Sequence, residues 1–387
     1  MNIRQLKTIE DRRIGVEKEI KKPLKAVAVY PAGLDEAQYR NCENMIGAIQ
    51  IPLGIAGPLL IKEKSRENGG QEYYVPLATT EGALIASVNR GCKAITQSRG
   101  AVVDVRNIGM TRGSVFKTSG LEESVRLEKW LQTHEKKIAS IAENTSRHLR
   151  FLSLFVKKAG CNVFVRFSFD TSEAMGMNMV TIAVSAISLY IGKETGAKCV
   201  TVAGNFDVDK KPSYLNMILG RGREVWAEAV LSADVIKTVL KTTPEAIHDT
   251  AIRKCLIGSA ISGSLGFNGH YANIIAAIFL ATGQDAAHVV EGSMGITTTE
   301  LENRQLRVSI YIPSLLVGVM GGGTGLPAQK EALSVLGLQK PNQGESASEF
   351  AAVIGASVLA GELSLLSSLT EGSLASSHQK LGRGNNV

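Results

Sequence analysis

Two carboxylates and a pair of lysines stand out in the sequence as side chains that could do acid–base chemistry. Glu81, in Thr-Thr-Glu-Gly, and Asp285, in Gly-Gln-Asp-Ala-Ala-His, lie within apolar stretches rich in glycine and alanine. A carboxylate buried in such surroundings must be paired or must have a raised pKa. Lys210 and Lys211 follow Asp209 in an Asp-Lys-Lys-Pro segment. Groups of these types serve proton transfer and the stabilisation of an oxyanion.

Two further segments combine glycine with polar side chains: Glu-Ala-Met-Gly-Met-Asn at residues 173–178 and Gly-Gly-Gly-Thr at residues 321–324. Each of these patterns also has a simpler interpretation. Glu81 could favour a helix N-terminus, and Asp285 could cap a helix. The Asp-Lys-Lys run could be a solvated turn, and the three glycines could form a tight turn.

Two common nucleotide-binding signatures are absent from the sequence. No Gly-x-Gly-x-x-Gly lies between a strand-like and a helix-like segment, so a Rossmann dinucleotide site is not supported. No Gly-x-x-x-x-Gly-Lys-Ser/Thr occurs either, which disfavours a P-loop nucleotide triphosphatase. The sequence therefore argues against both of these nucleotide-binding folds.

The composition is that of an ordinary globular protein of two or three domains. The chain has 387 residues, of which 44% are hydrophobic and 20% are charged, and this excludes overall disorder. Its 43 basic and 36 acidic residues give a net charge of +7, which suits anionic small molecules or nucleic acid. The aromatic content of 5% is low for a protein that stacks on single-stranded bases.

Cysteine usage and the apolar runs predict a cytoplasmic protein without a metal. The five cysteines form no Cys-x-x-Cys pair, so we expect idle thiols rather than disulfides or a zinc site. The charged residues 1–22 lack the apolar region of a secretory signal. The longest candidate run, residues 272–281, is about half of the ~20 apolar residues that span a membrane. We therefore expect neither a membrane partner nor a bound metal.

The chain begins with a charged lead-in and a predicted hairpin. Residues 1–42 indicate a helical segment that is broken by prolines. Strand-like apolar sequence follows, and the polar residues 62–72 predict a surface hairpin loop within it. A helix is then expected, with Thr79 or Thr80 as its N-cap and Glu81 in its first turn.

Residues 114–202 look like a separate unit of the split βαβ, ferredoxin-like kind. Helical spacing of apolar residues and period-two alternation define its elements. In order, they are a strand at residues 114–117, a long amphipathic helix from about Leu121 to Lys158, a strand over residues 161–169, a helix from about Met177, and a strand over residues 199–202.

The predicted fold class is therefore α+β. Residues 1–42 form a small helical N-terminal segment, residues 43–113 and 203–387 form a large mixed domain, and residues 114–202 form the inserted ferredoxin-like domain. The almost uncharged residues 256–283 are apolar nearly all round. They are expected to lie in the middle of the large domain as a buried central helix.

Taken together and in this order, the segments resemble the 3-hydroxy-3-methylglutaryl-coenzyme A reductase (HMG-CoA reductase) family. The resemblance runs from Glu-Asn-Met-Ile-Gly at residues 43–47 to Ser-His at residues 377–378, which is most of the chain. Met177 and the histidine near the C-terminus are similar to the class I form, and the membrane anchor of animal and plant members is not expected. The family reduces the thioester HMG-CoA to mevalonate and free coenzyme A with two NADPH in succession.

The resemblance also implies catalytic roles. Hydride attack on a thioester carbonyl builds an oxyanion that needs a fixed positive charge, and Lys210 matches the family's catalytic lysine. Glu81 matches the acid that protonates the carbonyl oxygen, and Asp285 matches the aspartate between them. A network of these three groups would raise at least one carboxyl pKa. His378 matches the histidine that protonates the departing coenzyme A thiolate.

Binding residues carry over from the resemblance in three sets. Ser146 and Arg147 match the residues at the 2′-phosphate of NADP. The hydroxymethylglutaryl group is held at positions matched by Arg112, Asp209, Lys211, Lys254, His270 and Asn273. The strip along the dinucleotide and the glycine turn at its nicotinamide end are matched by Met175, Gly176, Met177, Asn178, Gly321, Gly322, Gly323 and Thr324.

This sequence departs from the family pattern at two positions. Glu173 stands where the family usually has aspartate, which puts the fine cofactor geometry in doubt. Ala203 stands where a serine is often found, so one substrate hydrogen bond is expected to be missing. No serine follows His378, so the phosphorylation acceptor of animal members is absent. The family forms its active site across a dimer interface, so a homodimer or a larger homo-oligomer is expected.

Three other functions stay open at this point. The same fold could oxidise mevalonate with NAD, although the guanidinium of Arg147 favours a cofactor with an added phosphate. A catalytically silent coenzyme A-binding protein is disfavoured by the complete catalytic set. A nucleic-acid binder is disfavoured by dispersed positive charge and few aromatics. Positions at the surface or behind the site are expected for the other histidines, His134, His148, His248 and His288.

Overall fold

The computed structural model describes residues 2–62, 69–338 and 345–372, which form a mixed α+β structure. Short 3₁₀ turns lie at Ile3–Gln5, Leu34–Glu36, Ala286–His288 and Gly322–Gly325, and π-helical turns lie at Ile236–Leu240 and Ala251–Gly258. The α-helices of the described residues are α1 (Ile9–Ile20), α2 (Ala37–Arg40), α3 (Leu84–Gln97), α4 (Leu121–Thr133), α5 (Glu135–Glu143), α6 (Met177–Thr195), α7 (Tyr214–Leu219), α8 (Ala233–Val235), α9 (Pro244–Thr250), α10 (Ser259–Ser262), α11 (Tyr271–Thr282), α12 (Val289–Gly292), α13 (Pro327–Val335) and α14 (Ser346–Glu371).

The strands pair antiparallel throughout. They are β1 (Leu53–Lys62), β2 (Gly70–Ala78), β3 (Val102–Lys117), β4 (Arg150–Ala159), β5 (Asn162–Asp170), β6 (Lys198–Thr201), β7 (Gly222–Ser232), β8 (Ile296–Glu302) and β9 (Gln305–Leu315). β1 and β2 form a hairpin on their own, as the polar insert between them predicted. The other strands form one sheet in the order β4-β5-β3-β7-β9-β8, with β6 also paired to β3.

Strand β3 belongs to both halves of this sheet. Its first part, from Val102 to Gly109, pairs with β7, whereas Met110 to Lys117 pair with β5 and β6. The register shifts between Asn107 and Gly109, where the change of partner takes place. The domain boundary predicted between residues 113 and 114 falls within this strand, so the two halves are joined by a shared strand rather than by a linker.

The half of the sheet beyond β3 has the strand order β6-β3-β5-β4, which is that of a split βαβ arrangement. The predicted helix from Leu121 to Lys158 is wrong in its second part, because residues 150–159 form β4. Phe151, Leu154 and Val156 pack against the core of this unit, and β4 pairs along its length with β5. Pairing with β5 therefore makes residues 150–159 a strand, although their sequence could also continue the helix.

Helix α3 begins three or four residues later than the capping pattern predicts. Its N-cap is Ala83, which has a left-handed backbone conformation with φ 72°, and the helix starts at Leu84. Before it, the N–H of Glu81 donates to Thr79 Oγ1 at 3.0 Å. Residues 79–83 therefore form a turn that leaves Glu81 exposed ahead of the helix, so the expected position of Glu81 in the first helical turn is wrong.

Helix α14 occupies the middle of the larger core. Most of its 26 residues are buried, and it packs against α3, α11 and the sheet. A Cβ on Gly91 of α3 would lie 1.9 Å from the carbonyl oxygen of Ala360, so the two helices approach this closely only because glycine stands there. By length and composition alone α14 could cross a membrane, but most of it is buried inside the protein, as in a helix of a protein core.

The expectation for residues 256–283 is correct only in its second part. Helix α11 is buried, with Ile275 and Phe279 fully covered. The segment before it lies at the surface, where Ile257 and Ile261 are 50% and 83% exposed. The central position expected for this whole stretch is shared by α11 and α14.

Candidate active site

The first part of the candidate site is an ion pair between Lys210 and Asp285. Lys210 lies in the loop after β6 with a left-handed backbone, φ 57°, and Asp285 follows the C-terminus of α11. Lys210 Nζ is 2.8 Å from Asp285 Oδ2, while Asp285 Oδ1 accepts from the N–H of Ala287 at 3.0 Å. The carboxylate therefore caps a turn, as its simpler interpretation held, and pairs with the lysine as well.

This contact controls the protonation of both groups. The hydrogen bond to Asp285 raises the pKa of Lys210, although partial burial opposes it. Burial raises the pKa of Asp285, but hydrogen bonds from Lys210 and the Ala287 N–H, with nearby charges, outweigh it and lower that pKa overall. Lys210 is therefore held as a cation, and Asp285 is a paired carboxylate, one of the two possibilities that the sequence left for it, with its pKa lowered overall.

A buried charge network lies behind the ion pair. The side chain of Arg221 is fully buried, and its Nη1 is 3.0 Å from Asp209 Oδ1 and 2.6 Å from Glu291 Oε1. His288 Nδ1 lies 2.6 Å from Glu291 Oε2, and its Nε2 lies 3.6 Å from Asp285 Oδ2. The network therefore connects the loop of Asp209, the start of β7 and helix α12 to the ion pair.

Two members of this network, Arg221 and Glu291, are missing from the predicted site. Glu291 lies between apolar residues and a glycine, a pattern like that around Glu81 and Asp285. Arg221 is followed closely by Arg223 and Glu224, so no such pattern marked it in the sequence. His288 is fully buried behind Asp285, which matches one of its two expected positions.

The carboxylates of Asp209 and Glu291 and the ring of His288 could by residue type hold a metal ion, since their ligand atoms lie within 4.8 Å of one another. Arg221, however, already donates to both carboxylates through Nη1. Its guanidinium supplies the positive charge between them, so this group does not have the open geometry of a metal site. The absence of a metal stays a prediction.

A cleft of about 980 Å³ opens beside the ion pair. Gly283 and Gly323 touch at its wall, because a Cβ on Gly283 would lie 2.2 Å from the Gly323 carbonyl oxygen. Arg40 and Asn41, which the sequence did not predict, also line it. The structure thus brings into one cavity Lys210, Asp285 and the predicted cofactor residues Ser146, Met175, Gly176, Met177, Asn178, Gly321, Gly322, Gly323 and Thr324.

The chemistry of this cleft suits a dinucleotide with phosphates. Helix α6 starts at Met177, so its unpaired N–H groups lie at the cleft wall, where they favour an anion. Arg147 is exposed next to Ser146, and its Nε donates to His148 Nε2 at 3.0 Å. Arg147 itself is not among the residues that line the cleft.

Arg112 joins the cofactor strip to the charge network. Its Nη1 lies 3.4 Å from Asp207 Oδ2, 3.5 Å from Met177 Sδ and 3.9 Å from Asp209 Oδ2. Burial raises the pKa of Asp207, although nearby arginines oppose this. Lys211 is exposed, with its Nζ 3.1 Å from the Asp209 carbonyl oxygen. Arg112 and Asp209 are therefore close together, as the resemblance implied.

Glu81 lies in a second cavity, of about 410 Å³, with Lys254, His270 and Asn273. Asn273 Nδ2 is 3.4 Å from Glu81 Oε1 and 3.4 Å from His270 Nδ1. The position of His270 is fixed by Glu362 of α14, whose Oε1 accepts from the His270 N–H at 2.7 Å. Three of the predicted substrate residues are therefore gathered around Glu81.

Glu81 is not brought together with Lys210 and Asp285 in a single chain. Asn273, which touches Glu81, lies in the first turn of α11, whereas Asp285 follows its last turn. At 1.5 Å per residue, the helix puts about 14 Å between Asn273 and the end where Asp285 follows. Within the described part of one chain, Glu81 therefore lies apart from the ion pair, and the expected network of Glu81, Lys210 and Asp285 stays a prediction. His378 lies outside the described residues.

The two departures from the family pattern occupy clear positions. Glu173 Oε2 accepts from the N–H of Ala347 at 2.8 Å, so this carboxylate holds the N-terminus of α14. Ala203 is exposed, and its N–H donates to Thr201 Oγ1 at 3.1 Å. The longer side chain at position 173 therefore has a structural partner in the large core.

Comparison with known proteins agrees with this geometry. The family model described as hydroxymethylglutaryl-coenzyme A reductase matches residues 8–383. The 3-hydroxy-3-methylglutaryl-coenzyme A reductase of Methanocaldococcus jannaschii is 48% identical over 380 residues, covering 97% of this chain and 92% of that protein. The enzyme of the same name from Methanothermobacter thermautotrophicus is 45% identical over 374 residues, covering 96% and 93%.

A solved structure shares the fold at low sequence identity. It is the class II 3-hydroxy-3-methylglutaryl-CoA reductase from Streptococcus pneumoniae bound to NADPH in open conformations, with a TM-score of 0.69 and 18% identity. The match covers 95% of this chain and 99% of that one. With the family match over residues 8–383 and two relatives above 40% identity, the chain belongs to the hydroxymethylglutaryl-coenzyme A reductase family.

Proposed function

We propose that this protein reduces HMG-CoA to mevalonate and free coenzyme A with two molecules of NADPH. The observation that carries the proposal is the cleft in which the Lys210–Asp285 ion pair and the predicted NADP strip line the same wall. Residues 114–202 are the proposed cofactor domain, and residues 43–113 with 203–387 are the proposed substrate domain.

The cofactor supplies the hydride, and the protein supplies charge and protons around the carbonyl. Lys210 stabilises the oxyanion that forms when the thioester, and later the aldehyde, accepts hydride. Asp285 keeps this lysine charged and fixed in place. Glu81 donates the proton to the carbonyl oxygen in the second reduction.

The cavity around Glu81 suits the acid end of the substrate. Lys254 offers a cation there, and Asn273 and His270 offer polar donors. A charge-assisted hydrogen bond from Lys254 to the terminal carboxylate of the substrate would orient its thioester. We place the hydroxymethylglutaryl group between this cavity and the Lys210 loop of a second copy of the chain, with Arg112 and Asp209 of that copy on the cofactor side.

We propose further that two copies of the chain complete each active site. Within one chain, Glu81 and the ion pair lie at opposite ends of α11, about 14 Å apart along the helix. General acid catalysis requires the donor within hydrogen-bond reach of the reacting oxygen. Glu81 of one subunit acting beside Lys210 of another in a homodimer satisfies this requirement.

We propose further that the enzyme is class I-like, and from the sequence alone that it is cytoplasmic. Met177, the residue that resembles class I, lines the cleft and touches Arg112. The two archaeal relatives named above are 45% and 48% identical, whereas the class II structure is 18% identical.

One assay tests the reaction and its direction. Purified protein is given HMG-CoA with NADPH or with NADH, and the loss of reduced nicotinamide absorbance is followed. We expect fast oxidation of NADPH and release of free thiol. A preference for mevalonate, coenzyme A and NAD would support the oxidative alternative, and binding of coenzyme A without turnover would support a silent binding protein.

A mixing experiment tests the shared site. Glu81→Gln and Lys210→Ala are expected to be inactive alone. After subunit exchange, half of the dimers in an equal mixture are mixed and each has one intact site, so about a quarter of the wild-type activity should return. No recovery in confirmed mixed dimers would place both residues in one chain's site.

His378 has a proposed role that only the resemblance supports, as donor of a proton to the coenzyme A thiolate. His378→Gln should lose at least about a hundredfold in rate on the thioester. It should stay within about a few-fold of wild type on free mevaldehyde, where no thiolate leaves. Equal losses on both substrates would show that His378 is not a dedicated thiolate acid.

A further inference from the structure

His288 has a buried ring nitrogen without a partner. Its side chain is fully buried, its Nδ1 lies 2.6 Å from Glu291 Oε2, and its Nε2 has no hydrogen-bond partner in the described part of the chain. This nitrogen nevertheless faces two carboxylates, at 3.6 Å from Asp285 Oδ2 and 4.0 Å from Asp209 Oδ1. A buried polar atom in such a position is costly unless its protonation suits its surroundings.

The hydrogen bonds of Glu291 decide which ring nitrogen carries a hydrogen. Glu291 Oε1 lies 2.6 Å from Arg221 Nη1 and 3.5 Å from Asn216 Nδ2, as suits an ionised carboxylate. Its Oε2 then accepts from His288, which puts a hydrogen on Nδ1. A neutral ring would turn the Nε2 lone pair toward two carboxylates, whereas a protonated ring turns an N–H toward them.

The charges next to His288 favour the protonated ring. Asp209, Asp285 and Glu291 all lie within 4.0 Å of its ring nitrogens. Lys210 pairs with Asp285, and Arg221 pairs with Asp209 and Glu291, while Arg112 is shared between Asp207 and Asp209. An imidazolium at His288 adds a positive charge that faces Asp285 and Glu291.

Charged groups further out have other partners. Arg112 Nη1 is 3.4 Å from Asp207 Oδ2 and 3.9 Å from Asp209 Oδ2, so it adds to the positive charge near Asp209. Arg166 Nη2 donates to the Gly220 carbonyl at 2.6 Å. These arginines therefore pair with Asp207, Asp209 and a carbonyl, and they leave the space between His288 and Asp285 to the histidine.

We propose that His288, protonated on both ring nitrogens, is a positioning residue for the Lys210–Asp285 pair: its Nε2–H faces Asp285, keeps that carboxylate ionised and so holds Lys210 charged and in place. This rests on the proposed function, in which Lys210 and Asp285 act on the substrate. The pKa of Asp285 is lowered overall, and after burial, which opposes this, and the hydrogen bonds to Lys210 and the Ala287 N–H, a charge at His288 contributes.

Ring-¹⁵N-labelled histidine in the full chain reports the protonation of each ring nitrogen by NMR. The His288 signals are assigned by their loss in His288→Gln. We expect both ring nitrogens to carry a hydrogen at about pH 7 in the wild type, and the Nε2 hydrogen to be lost in Asp285→Asn, because the carboxylate that it faces is gone. His134, which stacks on Trp130 at a ring distance of 4.2 Å, is the internal control and should not move.

Kinetics of His288→Gln give the second readout. Glutamine keeps an amide that can donate to Glu291, but it carries no charge. We expect kcat to fall about tenfold or more, with little change in the KM for the thioester, because the lysine is less well placed. The acid limb of the kcat profile should move to higher pH, since Asp285 with one neighbouring cation fewer protonates more readily.

Two results would overturn the proposal. One is a neutral His288 with an unprotonated Nε2 whose titration is unchanged by Asp285→Asn. The other is a His288→Gln enzyme with an unshifted pH profile, which would indicate a purely structural role. If the wild-type protein reduces no thioester, the proposed function fails, whereas the NMR titration still decides the protonation and pairing of His288.

Discussion

The two ends of helix α11 hold their charged groups in opposite ways. At the C-terminal end, Asp285 is fixed by Lys210 and a backbone N–H, and the buried Arg221 and Glu291 lie behind it. At the N-terminal end, Glu81 is exposed, and among the described residues its carboxylate has a single long hydrogen bond, from Asn273 Nδ2 at 3.4 Å. The first half of the site is preorganised in a single chain, whereas the second half is open to be completed by substrate and by another subunit.

Removing the buried cation should have the largest effect on stability. Arg221→Met leaves Asp209 and Glu291 without their shared partner, and breaking a buried pair in this way costs about 3–5 kcal/mol. The free energy of unfolding, measured in urea, should fall by that amount. Arg147→Ala, at an exposed arginine, is the matched control and should stay within about 0.5 kcal/mol of wild type. Equal losses in both variants would contradict the preorganised half of the comparison.

Lys210→Ala should remove nearly all turnover and leave the fold intact. A preorganised group that stabilises an oxyanion is worth about 10²–10³ in rate, and a charged one should be worth no less. The measurement is kcat on the thioester, with circular dichroism as the control for folding. If more than about a tenth of the wild-type activity remained, another group would stabilise the oxyanion.

Arg147→Ala should weaken NADPH much more than NADH. Only NADPH has the 2′-phosphate, and a charge-assisted hydrogen bond is worth about 1.5–3 kcal/mol, so the KM for NADPH should rise at least about tenfold. The KM for NADH serves as the control within the same variant. Equal increases for both cofactors would show that Arg147 does not recognise the phosphate.

Glu81→Gln should have the smallest effect on stability, although it removes activity. The side chain is exposed and has one long contact, so the free energy of unfolding should change by less than about 0.5 kcal/mol. A loss above about 2 kcal/mol would mean that the open half of the site is held by more than this contact.

The sequence predicted this fold best where the residue pattern had a single interpretation. The alternation from Cys161 to Phe169 became β5, which begins at Asn162 and has Phe167 and Phe169 fully buried. The stretch that became β4 has apolar residues that fit either a helix or a strand, and only its pairing with β5 decided between them. The start of α3 was predicted from capping residues, but a turn comes first, and the helix begins only after Ala83, whose backbone is left-handed.

For the site, the sequence predicted the residues that line the cleft better than the buried charged residues behind them. Lys210, Asp285 and the cofactor strip meet in one cleft as the motifs indicated. Arg221 and Glu291 were not predicted, because burial of a charge depends on contacts between segments far apart in the chain. The separation of Glu81 from Asp285 by the length of α11 could likewise not be predicted, because the spacing of residues along the sequence does not give distances between distant segments.

Strand β3 gives the molecule a mechanical continuity that a linker would not. The backbone from Val102 to Lys117 is hydrogen-bonded first to β7 and then to β5 and β6. Any rotation of the smaller unit against the larger one must therefore twist β3 near Asn107 and Gly109, where its pairing with β7 shifts register. The amide protons of Val102 to Arg106 lie outside the cleft. They should consequently exchange more slowly with deuterium when NADPH is bound to the smaller unit.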